Sequence, residues 1–262
     1  MVVARVSLPS PARLRLVTLS IALILSLVAK AAMSDWNAGV AAYLHGDYLA
    51  AFREFKPLAE QGSAPAQNFL GLLYEKGEGV QQNTPEALHW YEAAAAQGHA
   101  KAAYNLGVMY ETGGGVPVDF AQAADWYALS AKGGYPPGQT NLGYLYETGE
   151  GLPKDFRTAA KWYRAAADQG FAIAEADLGF YYADGTGVER DQAEAYFWLV
   201  LSLQQARLDA GHPFTPDDLG TIVLRVAKIE QELSREKRDA IDRRLKDWHP
   251  TGNYRPGDAP LP

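Results

Sequence analysis

Residues 102–134 read AAYNLGVMYETGGGVPVDFAQAADWYALSAKGG, and this pattern occurs four times in the chain. Its Leu-Gly pair recurs at intervals of 36 residues. The pairs begin at Leu70, Leu106, Leu142 and Leu178, and a tryptophan keeps the same interval at Trp90, Trp126, Trp162 and Trp198. A fixed period of this length indicates that one supersecondary unit is repeated to build a solenoid, a propeller or an array.

Each copy contains two stretches of helical periodicity separated by a Gly-x-Gly segment. In the third copy, Leu142, Gly143 and Tyr146 share one face, which predicts a first helix over about residues 139–147. A glycine inside a helix costs about 1 kcal/mol relative to alanine. Because all four copies keep this glycine, we expect another helix to pack closely against it.

The second stretch of each copy combines a Trp-Tyr pair with alanines on one stripe. We interpret these aromatic side chains, Trp162 and Tyr163 in the third copy, as core residues, since a large aromatic side chain buries about 150–250 Å². A sugar-stacking platform is the alternative for the tryptophans, but their helical spacing and strict repetition favour core packing. Gly98, Gly134 and Gly170 are predicted to end the second helices.

The segment between the two helices contains residues typical of the end of one helix and of the beginning of the next. The first glycine of each Gly-x-Gly, such as Gly149, suits the left-handed backbone position that follows a helix. The second helices are predicted to begin at capping residues, completed as capping boxes in three copies. The capping residues are Asn83, Asp119, Asp155 and Asp191. A phosphate loop is a poorer interpretation because Gly-Lys-Ser/Thr is missing, and a cap explains each aspartate without a metal ion.

The spaced residues of these copies resemble the Sel1-like repeat. In the second copy the matching residues are Ala102, Leu106, Gly107, Tyr110, Gly113, Gly115, Val116, Asp119, Ala123, Trp126, Tyr127, Ala131 and Gly134. The resemblance implies an all-α protein, an α/α solenoid of tetratricopeptide-like helical hairpins. It also implies a role in protein–protein interaction, often in exported or envelope-associated bacterial proteins. A cysteine-rich branch of the family is associated with β-lactam binding or hydrolysis, and this chain has no cysteine.

The resemblance covers about residues 37–206 and guides the predicted domain organisation. We expect a signal peptide at 1–31, a solenoid at 34–206, a C-terminal helical cap at 207–248 and a disordered tail at 249–262. The solenoid comprises a degenerate first unit at 36–62 and repeats at about 66–98, 102–134, 138–170 and 174–206. The fourth copy ends in an apolar run, so a capping helix that starts at the capping box Thr215-Pro216-Asp217-Asp218 is predicted to cover it.

The first 31 residues have the features of a secretory signal peptide. Three arginines precede an uncharged, mostly apolar stretch at 16–29, and Ala29-Lys30-Ala31 supplies a small-x-small cleavage site. We therefore expect a periplasmic protein that has no membrane span after cleavage. The alternative is an uncleaved signal that anchors the chain in the inner membrane, facing the periplasm.

Net charge limits the classes of partner. The chain carries a net charge of −7, and loss of residues 1–31, which hold four cations and no acid, makes it −11. Affinity for nucleic acid depends on neutralising phosphates with Lys and Arg, so no nucleic-acid partner is expected. An acidic solenoid instead favours a cationic partner, although a solvated surface explains the same charge.

Candidate partner-binding residues come from comparing equivalent positions of the four copies. Positions that vary while facing outward on the first helix are candidates for function, whereas fixed positions stabilise the fold. By analogy with the family, first helices line the inner face of the solenoid, where an apolar strip and an amide ladder would hold an extended peptide or a partner helix. The candidates are Phe69, Leu72, Tyr104, Asn105, Val108, Asn141, Tyr144, Asp177 and Phe180. The alternative is that Leu72 and its equivalents are partly buried against the adjacent repeat.

No catalytic, cofactor or metal site is predicted. The five histidines lack metal-ligand spacing, and no nucleophile elbow occurs. Glu75, Glu111 and Glu147 recur once per repeat, and we interpret each as a solvated helix-end residue because equivalent sites in stacked repeats lie about 10 Å apart. We therefore expect a monomeric, non-enzymatic adaptor or regulator of an envelope complex that binds another protein. The alternatives are a structural scaffold of cell-wall or polysaccharide machinery and a hydrolase of cell-wall material or β-lactams.

Overall fold

The structure, a computed structural model, describes residues 35–208 and 214–252, and every regular element in these ranges is a helix. The helices run over residues 35–44 (α1), Tyr48–Glu60 (α2), Ala64–Lys76 (α3), Thr84–Ala95 (α4), Ala100–Thr112 (α5), Phe120–Lys132 (α6), Pro136–Thr148 (α7), Phe156–Ala167 (α8), Ala172–Asp184 (α9), Gln192–Leu208 (α10), Pro216–Glu232 (α11) and Arg235–Asp247 (α12). This confirms the predicted α/α solenoid of helical hairpins. The predicted signal peptide at 1–31 and the last ten residues of the predicted tail, 253–262, lie outside the described residues.

The chain divides after Ala87 into two compact units. In the first, unit 1, α2 packs against α3 around a cluster of aromatic rings. The rings of Phe55 and Phe69 stack with their centroids 4.7 Å apart, and Trp36 and Tyr43 meet Phe69 edge-on. Unit 1 therefore has an aromatic core of its own.

The second unit, unit 2, is a stack of helical hairpins. Each first helix packs against the second helix that follows it, α5 against α6, α7 against α8 and α9 against α10. Successive hairpins are joined by contacts of α6 with α7 and of α8 with α9. The core contains Leu106, Tyr127, Leu145, Tyr163 and Leu178, none of which is more than 1% exposed. Burial of such side chains, at about 25 cal/mol per Å² of apolar surface, is the main stabilising contribution.

In unit 2, the glycine of each first helix lies beneath a large side chain of its own second helix. A Cβ atom at Gly107 would lie 2.5 Å from Cδ1 of Tyr127, and one at Gly143 would lie 2.8 Å from Cε1 of Tyr163. Both distances are far inside van der Waals contact, so a larger residue would have to displace a buried ring. The predicted close approach at the glycine is therefore confirmed, and its partner is the tyrosine of the Trp-Tyr pair.

The tryptophans of the repeats bury less of their surface than predicted. Tyr127 and Tyr163 are fully buried, whereas Trp126 and Trp162 are only half-buried. Adjacent residues on a helix point about 100° apart, so the side chain that faces the first-helix glycine occupies the centre of the hairpin and its neighbour lies at the edge. Trp198 of the last hairpin is the exception, with 1% of its surface exposed.

The loops between the helices close through backbone hydrogen bonds. Gly149 ends α7 in the left-handed backbone conformation that the sequence predicts, with a φ of 82°, and its N–H donates to the Leu145 carbonyl. The Asp155 side chain then caps α8, and the Asp155 N–H donates to the Tyr146 carbonyl at 2.8 Å. The equivalent backbone bonds in the other loops join Asn83 to Tyr74, Asp119 to Tyr110 and Asp191 to Tyr182. The caps are confirmed, but the capping boxes are not. In a capping box, the backbone N–H of the capping residue donates to a side chain three residues later, whereas here it donates to the tyrosine carbonyl.

The second glycine of each loop determines how successive hairpins stack. A Cβ atom at Gly151 would overlap the carbonyl of Phe120 at the start of α6, and one at Gly187 would overlap the carbonyl of Phe156 at the start of α8. These two loops therefore lie directly on the N-terminal end of the preceding second helix. Only a residue without a side chain permits this approach between two backbones.

Two helices, rather than one, cover the end of the solenoid. The first, α11, begins at the predicted capping box, in which Thr215 and Asp218 bond reciprocally. Helix α11 ends at Glu232. Ser234 then caps α12, because its side chain accepts the backbone N–H of Lys237. Both helices contact α10 and bury apolar residues, Ile229 on α11 and Ile241 on α12. The single predicted stripe of apolar residues is thus divided between two helices.

Polar contacts fix this cap to the last hairpins. Arg244 of α12 donates to Glu194 of α10, and its guanidinium lies 3.7 Å from the centroid of the Phe197 ring. After α12, the Thr251 N–H donates to the carbonyl of Asp168 at 2.8 Å. The beginning of the predicted tail therefore packs against the end of α8.

We predict that Gly143→Ala lowers the melting temperature even though alanine has the higher helix propensity. Overlap with the buried Tyr163 ring costs about 1–3 kcal/mol, against a propensity gain of about 1 kcal/mol. Gly220→Ala in α11 is the matched control, because a Cβ atom at Gly220 has no neighbour within 4 Å. The control should raise the melting temperature by about 2–4 °C in thermal denaturation followed by circular dichroism. Equal shifts in the two variants would contradict the close contact.

Candidate partner-binding groove

Two of the predicted partner-binding residues, Phe69 and Leu72, lie on α3 in unit 1. Phe69 belongs to the aromatic cluster with Trp36, Tyr43 and Phe55, so most of its contacts are with the core of its own unit. Leu72 is half-buried. The structure of unit 1 therefore gives Phe69 a packing role in addition to any contact with a partner.

In unit 2, the structure brings four predicted residues together around one cavity of about 400 Å³. They are Tyr104, Asn141, Tyr144 and Asp177, and they share the lining with Thr140, Glu147, Tyr163, Phe171 and Ile173. The Tyr144 ring is 47% exposed, so it is available to a partner. Three consecutive first helices, α5, α7 and α9, thus contribute to one concave surface.

A second cavity of about 260 Å³ lies next to the first, toward the C-terminal cap. It is lined by Ile173, Asp177, Phe180, Phe214, Asp218 and Ile222. Because Ile173 and Asp177 line both cavities, the two are adjacent. We call them together the α7–α9 groove and define it by the residues of the two linings.

The remaining predicted residues, Asn105 and Val108, are not part of this groove. Val108 is half-buried and packs against the core cluster that contains Tyr127, which matches the alternative that residues of this column are partly buried. Comparison of equivalent positions also missed Phe171 and Ile173. Both lie where α9 begins, outside the columns compared along the first helix.

Glu111 and Glu147 are not the solvated helix-end residues that the sequence predicts. The Tyr163 hydroxyl donates to Oε2 of Glu147 at 2.6 Å, and the Tyr127 hydroxyl donates to Oε2 of Glu111. Both glutamates are half-buried at the end of their helix. Each tyrosine that covers a glycine is therefore also held by a glutamate of the same first helix.

A signal for this pairing was present in the sequence. Glutamate precedes tyrosine by 16 residues in the first three copies. In the fourth copy, Ala183 and Leu199 occupy the two positions, so both partners change together. A coupled replacement of this kind indicates contact between the two side chains.

Asn141 and Asp177 occupy equivalent positions on α7 and α9 but cannot make the same bond. Asn141 is a hydrogen-bond partner of the Tyr127 hydroxyl from the preceding hairpin. One repeat further along the chain, Asp177 interacts with the Tyr163 hydroxyl in the same way that Asn141 is placed next to Tyr127. An ionised carboxylate has no hydrogen to donate, so the hydrogen bond made by the asparagine is lost whenever Asp177 is ionised.

The acidic side chains of the groove strongly affect one another. Burial and the nearby charge of Glu147 raise the pKa of Asp177 to about 7. Burial, Asp177 and Glu147 likewise raise the pKa of Tyr163. The Tyr181 hydroxyl is buried next to Glu147, and burial and Glu147 raise its pKa as well. The protonated form of Asp177 is therefore favoured, as expected where like charges lie close together away from water.

A further carboxyl on α9 is entirely enclosed. Glu175 has no exposed surface, and neither of its carboxylate oxygens has a hydrogen-bond partner. Burial raises its pKa well above the usual value. In the third copy the equivalent residue is Gln139, whose amide N–H donates to the Ala131 carbonyl at 3.3 Å. Glu175 therefore keeps the shape of the glutamine but can donate only when it is protonated.

The described residues give little support for a metal site or a membrane span. Over residues 35–208 and 214–252, no group of three His, Cys, Asp or Glu side chains is arranged to hold a metal ion. His99, which the sequence gives no metal role, caps α5, because its Nδ1 accepts the N–H of Ala102 at 3.2 Å. The described helices all fall short of the length and apolarity that a membrane span requires.

The family of the chain follows from comparison with known proteins. The Sel1 repeat model matches residues 64–99, 100–135, 136–171 and 172–205, more than half of the chain. The chain belongs to the Sel1-repeat family. Sel1 repeats generally mediate protein–protein interaction, and their fold is typically a non-catalytic scaffold.

Solved structures of Sel1-repeat proteins are similar to this chain. A Sel1 repeat protein from Oxalobacter formigenes is 33% identical, with 72% of this chain and 83% of that chain covered and a TM-score of 0.60. The protein c5321, a protective antigen present in uropathogenic Escherichia coli strains that displays an SLR fold, is 32% identical over 86% of this chain, with a TM-score of 0.62. The match covers 53% of c5321, so this Sel1-repeat chain spans about half of its length. A search of curated proteins found no significant match.

We predict that Glu175 and Asp177 make the folded state progressively less stable as the pH rises from about 4 to about 8. Their raised pKa values mean that the folded state binds more protons than the unfolded state in this interval, so the free energy of unfolding falls. Glu175→Gln with Asp177→Asn removes both titrating groups and supplies amide donors in their place. Calorimetry should show a melting temperature about 4 °C or more above the parent at about pH 8 and little difference at about pH 4.

The control for this prediction is Glu150→Gln, which removes an exposed acid in the loop after α7. It should leave the pH profile of the melting temperature unchanged. A double variant that is no more stable than the parent at about pH 8 would show that the two carboxyls are not held at raised pKa values.

Proposed function

We propose that this protein is an exported protein–protein interaction module, an adaptor or regulator of an envelope complex. Its α7–α9 groove binds a peptide or a helix of the partner protein. The observation that carries the proposal is the adjacency of the two cavities, which share Ile173 and Asp177. Two adjacent cavities suit successive side chains of one partner, as in grooves that bind a helix or an extended peptide.

The composition of the groove supports this role. Exposed or half-buried rings of Tyr104, Tyr144 and Phe180 lie beside the polar side chains of Asn141 and Asp177. Aromatic side chains provide large contact areas at small entropic cost and are frequent among residues that dominate binding energy. The polar side chains would fix the orientation of the partner.

Export is supported by the sequence of residues 1–31, with its basic start, apolar stretch and small-residue site. Cleavage there would release a soluble chain with an acidic surface into the periplasm. A role as a structural scaffold of cell-wall machinery uses the same groove and differs only in the identity of the partner.

We predict that a photoreactive phenylalanine analogue at position 144 cross-links a partner in the native host, because Tyr144 is the most exposed ring of the groove. The same analogue at Leu129, which is 38% exposed on α6 outside the groove, should give no specific product. Mass spectrometry of the product identifies the partner and shows whether residues 1–31 have been removed.

Alanine substitutions then measure the contribution of the groove. Tyr104→Ala, Tyr144→Ala and Phe180→Ala should each weaken binding of the identified partner by about tenfold or more, as anchor residues do. Leu129→Ala should have no effect on binding. If the three variants fold and keep full affinity, the groove is not the binding surface.

A further inference from the structure

We infer that Glu147 and Asp177 in the α7–α9 groove receive a lysine or arginine side chain of the partner peptide. This chemistry rests on the proposed function, because it specifies the partner of the same groove. Three features of the groove point to a cation: the charge of its lining, the rings around the acids and the departure of Asp177 from its own repeat.

The lining of the groove is negatively charged. Glu147 and Asp177 line the first cavity, Asp218 lines the second, and neither lining contains a Lys, Arg or His among the described residues. Arg225 on the adjacent α11 lies over the Phe180 ring, 5.6 Å from its centroid, and is neutralised by Asp184 at 2.7 Å. Glu147 and Asp177 therefore repel each other across the cavity, and a cation from the partner would replace repulsion with attraction.

Aromatic rings surround the two carboxylates. Tyr104, Tyr144 and Phe171 line the same cavity. A cation is attracted to the face of an aromatic ring, and the aliphatic part of Lys or Arg packs against rings while its charged end reaches an acid. The buried Tyr181 hydroxyl interacts with both carboxylates.

Asp177 replaces the asparagine that the two preceding copies carry at this position. The equivalent Asn141 bonds the Tyr127 hydroxyl, and an asparagine at 177 would be placed to do the same for Tyr163. The carboxylate loses this bond and adds repulsion with Glu147. An ionisable residue that reduces stability in a cleft is a candidate for function, and a cationic ligand explains why an acid stands where an amide would favour folding.

The size of the groove fits one basic side chain next to an apolar one. The first cavity, of about 400 Å³, encloses both carboxylates, and the second, of about 260 Å³, is walled by Phe180, Phe214 and Ile222. Asp177 lies between the two. The expected motif is therefore a Lys or Arg a few residues from a large apolar residue.

The experiment is a selection of peptides from a random nonapeptide phage library on the full-length protein. The selected peptides are then titrated by fluorescence anisotropy against two variants. A carboxamide variant combines Glu147→Gln with Asp177→Asn, and a ring variant combines Tyr104→Ala with Tyr144→Ala. The carboxamide variant retains an acceptor for the Tyr163 hydroxyl, and its melting temperature verifies that it is folded.

A matched control separates the groove from the overall charge of the protein. Asp125→Asn with Glu189→Gln removes the same two charges from exposed positions that line neither cavity. The parent protein should select peptides with a Lys or Arg near an apolar residue. The carboxamide variant should bind them about tenfold more weakly or worse, and the control should change affinity by no more than about twofold at physiological salt.

Each other outcome overturns a specific claim. If the selected peptides lose affinity for the ring variant but bind the carboxamide variant as tightly as the parent, the cation inference is wrong and the groove proposal stands. An equal loss in the carboxamide variant and the control also overturns the inference, because the attraction is then general. If no peptide is selected, or if the ring variant binds every peptide normally, the groove proposal fails together with the inference.

Discussion

The contact between a first-helix glycine and a second-helix tyrosine is the interaction on which the first two hairpins of unit 2 depend; in the third hairpin, Leu199 takes the place of the tyrosine over Gly179. Because Gly107 and Gly143 have no side chain, the rings of Tyr127 and Tyr163 are completely buried against the first helix. Each glycine costs about 1 kcal/mol in helix propensity. Burial of about 150–250 Å² of ring at about 25 cal/mol per Å² contributes about 4–6 kcal/mol. The stabilisation from the buried ring therefore exceeds the helix-propensity cost of the glycine.

The same contact determines the chemistry of the groove. A tyrosine that covers its glycine directs its hydroxyl to the glutamate at the end of the first helix, as Tyr163 does to Glu147. The acid of the next hairpin, Asp177, then meets a hydroxyl whose proton is already donated. The stacking of repeats thus brings two carboxyls together, and the residue that weakens the fold is the one that gives the groove its preference for a cation.

Sequence periodicity predicted those features that depend on residues close together in the chain. The helical hairpins, the left-handed glycine at Gly149 and the cap at Asp155 are of this kind. Tertiary contacts between different helices were harder to predict from periodicity. The periodicity did not distinguish the central tyrosine from the peripheral Trp162, and it treated Glu147 as solvated because its partner lies 16 residues away on another helix. Phe171 and Ile173 lie at the start of α9, outside the positions compared between copies, and Phe214 belongs to the cap, where no repeat position exists to compare.

A double-mutant cycle at Gly143 and Tyr163 tests the central contact most directly. Gly143→Ala, Tyr163→Val and the double variant are compared by their free energies of unfolding in urea. If the methyl group is harmful because it meets the ring, Gly143→Ala should be harmless or stabilising once the ring is absent, with a coupling of about 1 kcal/mol or more. Additive effects of the two substitutions would contradict the account.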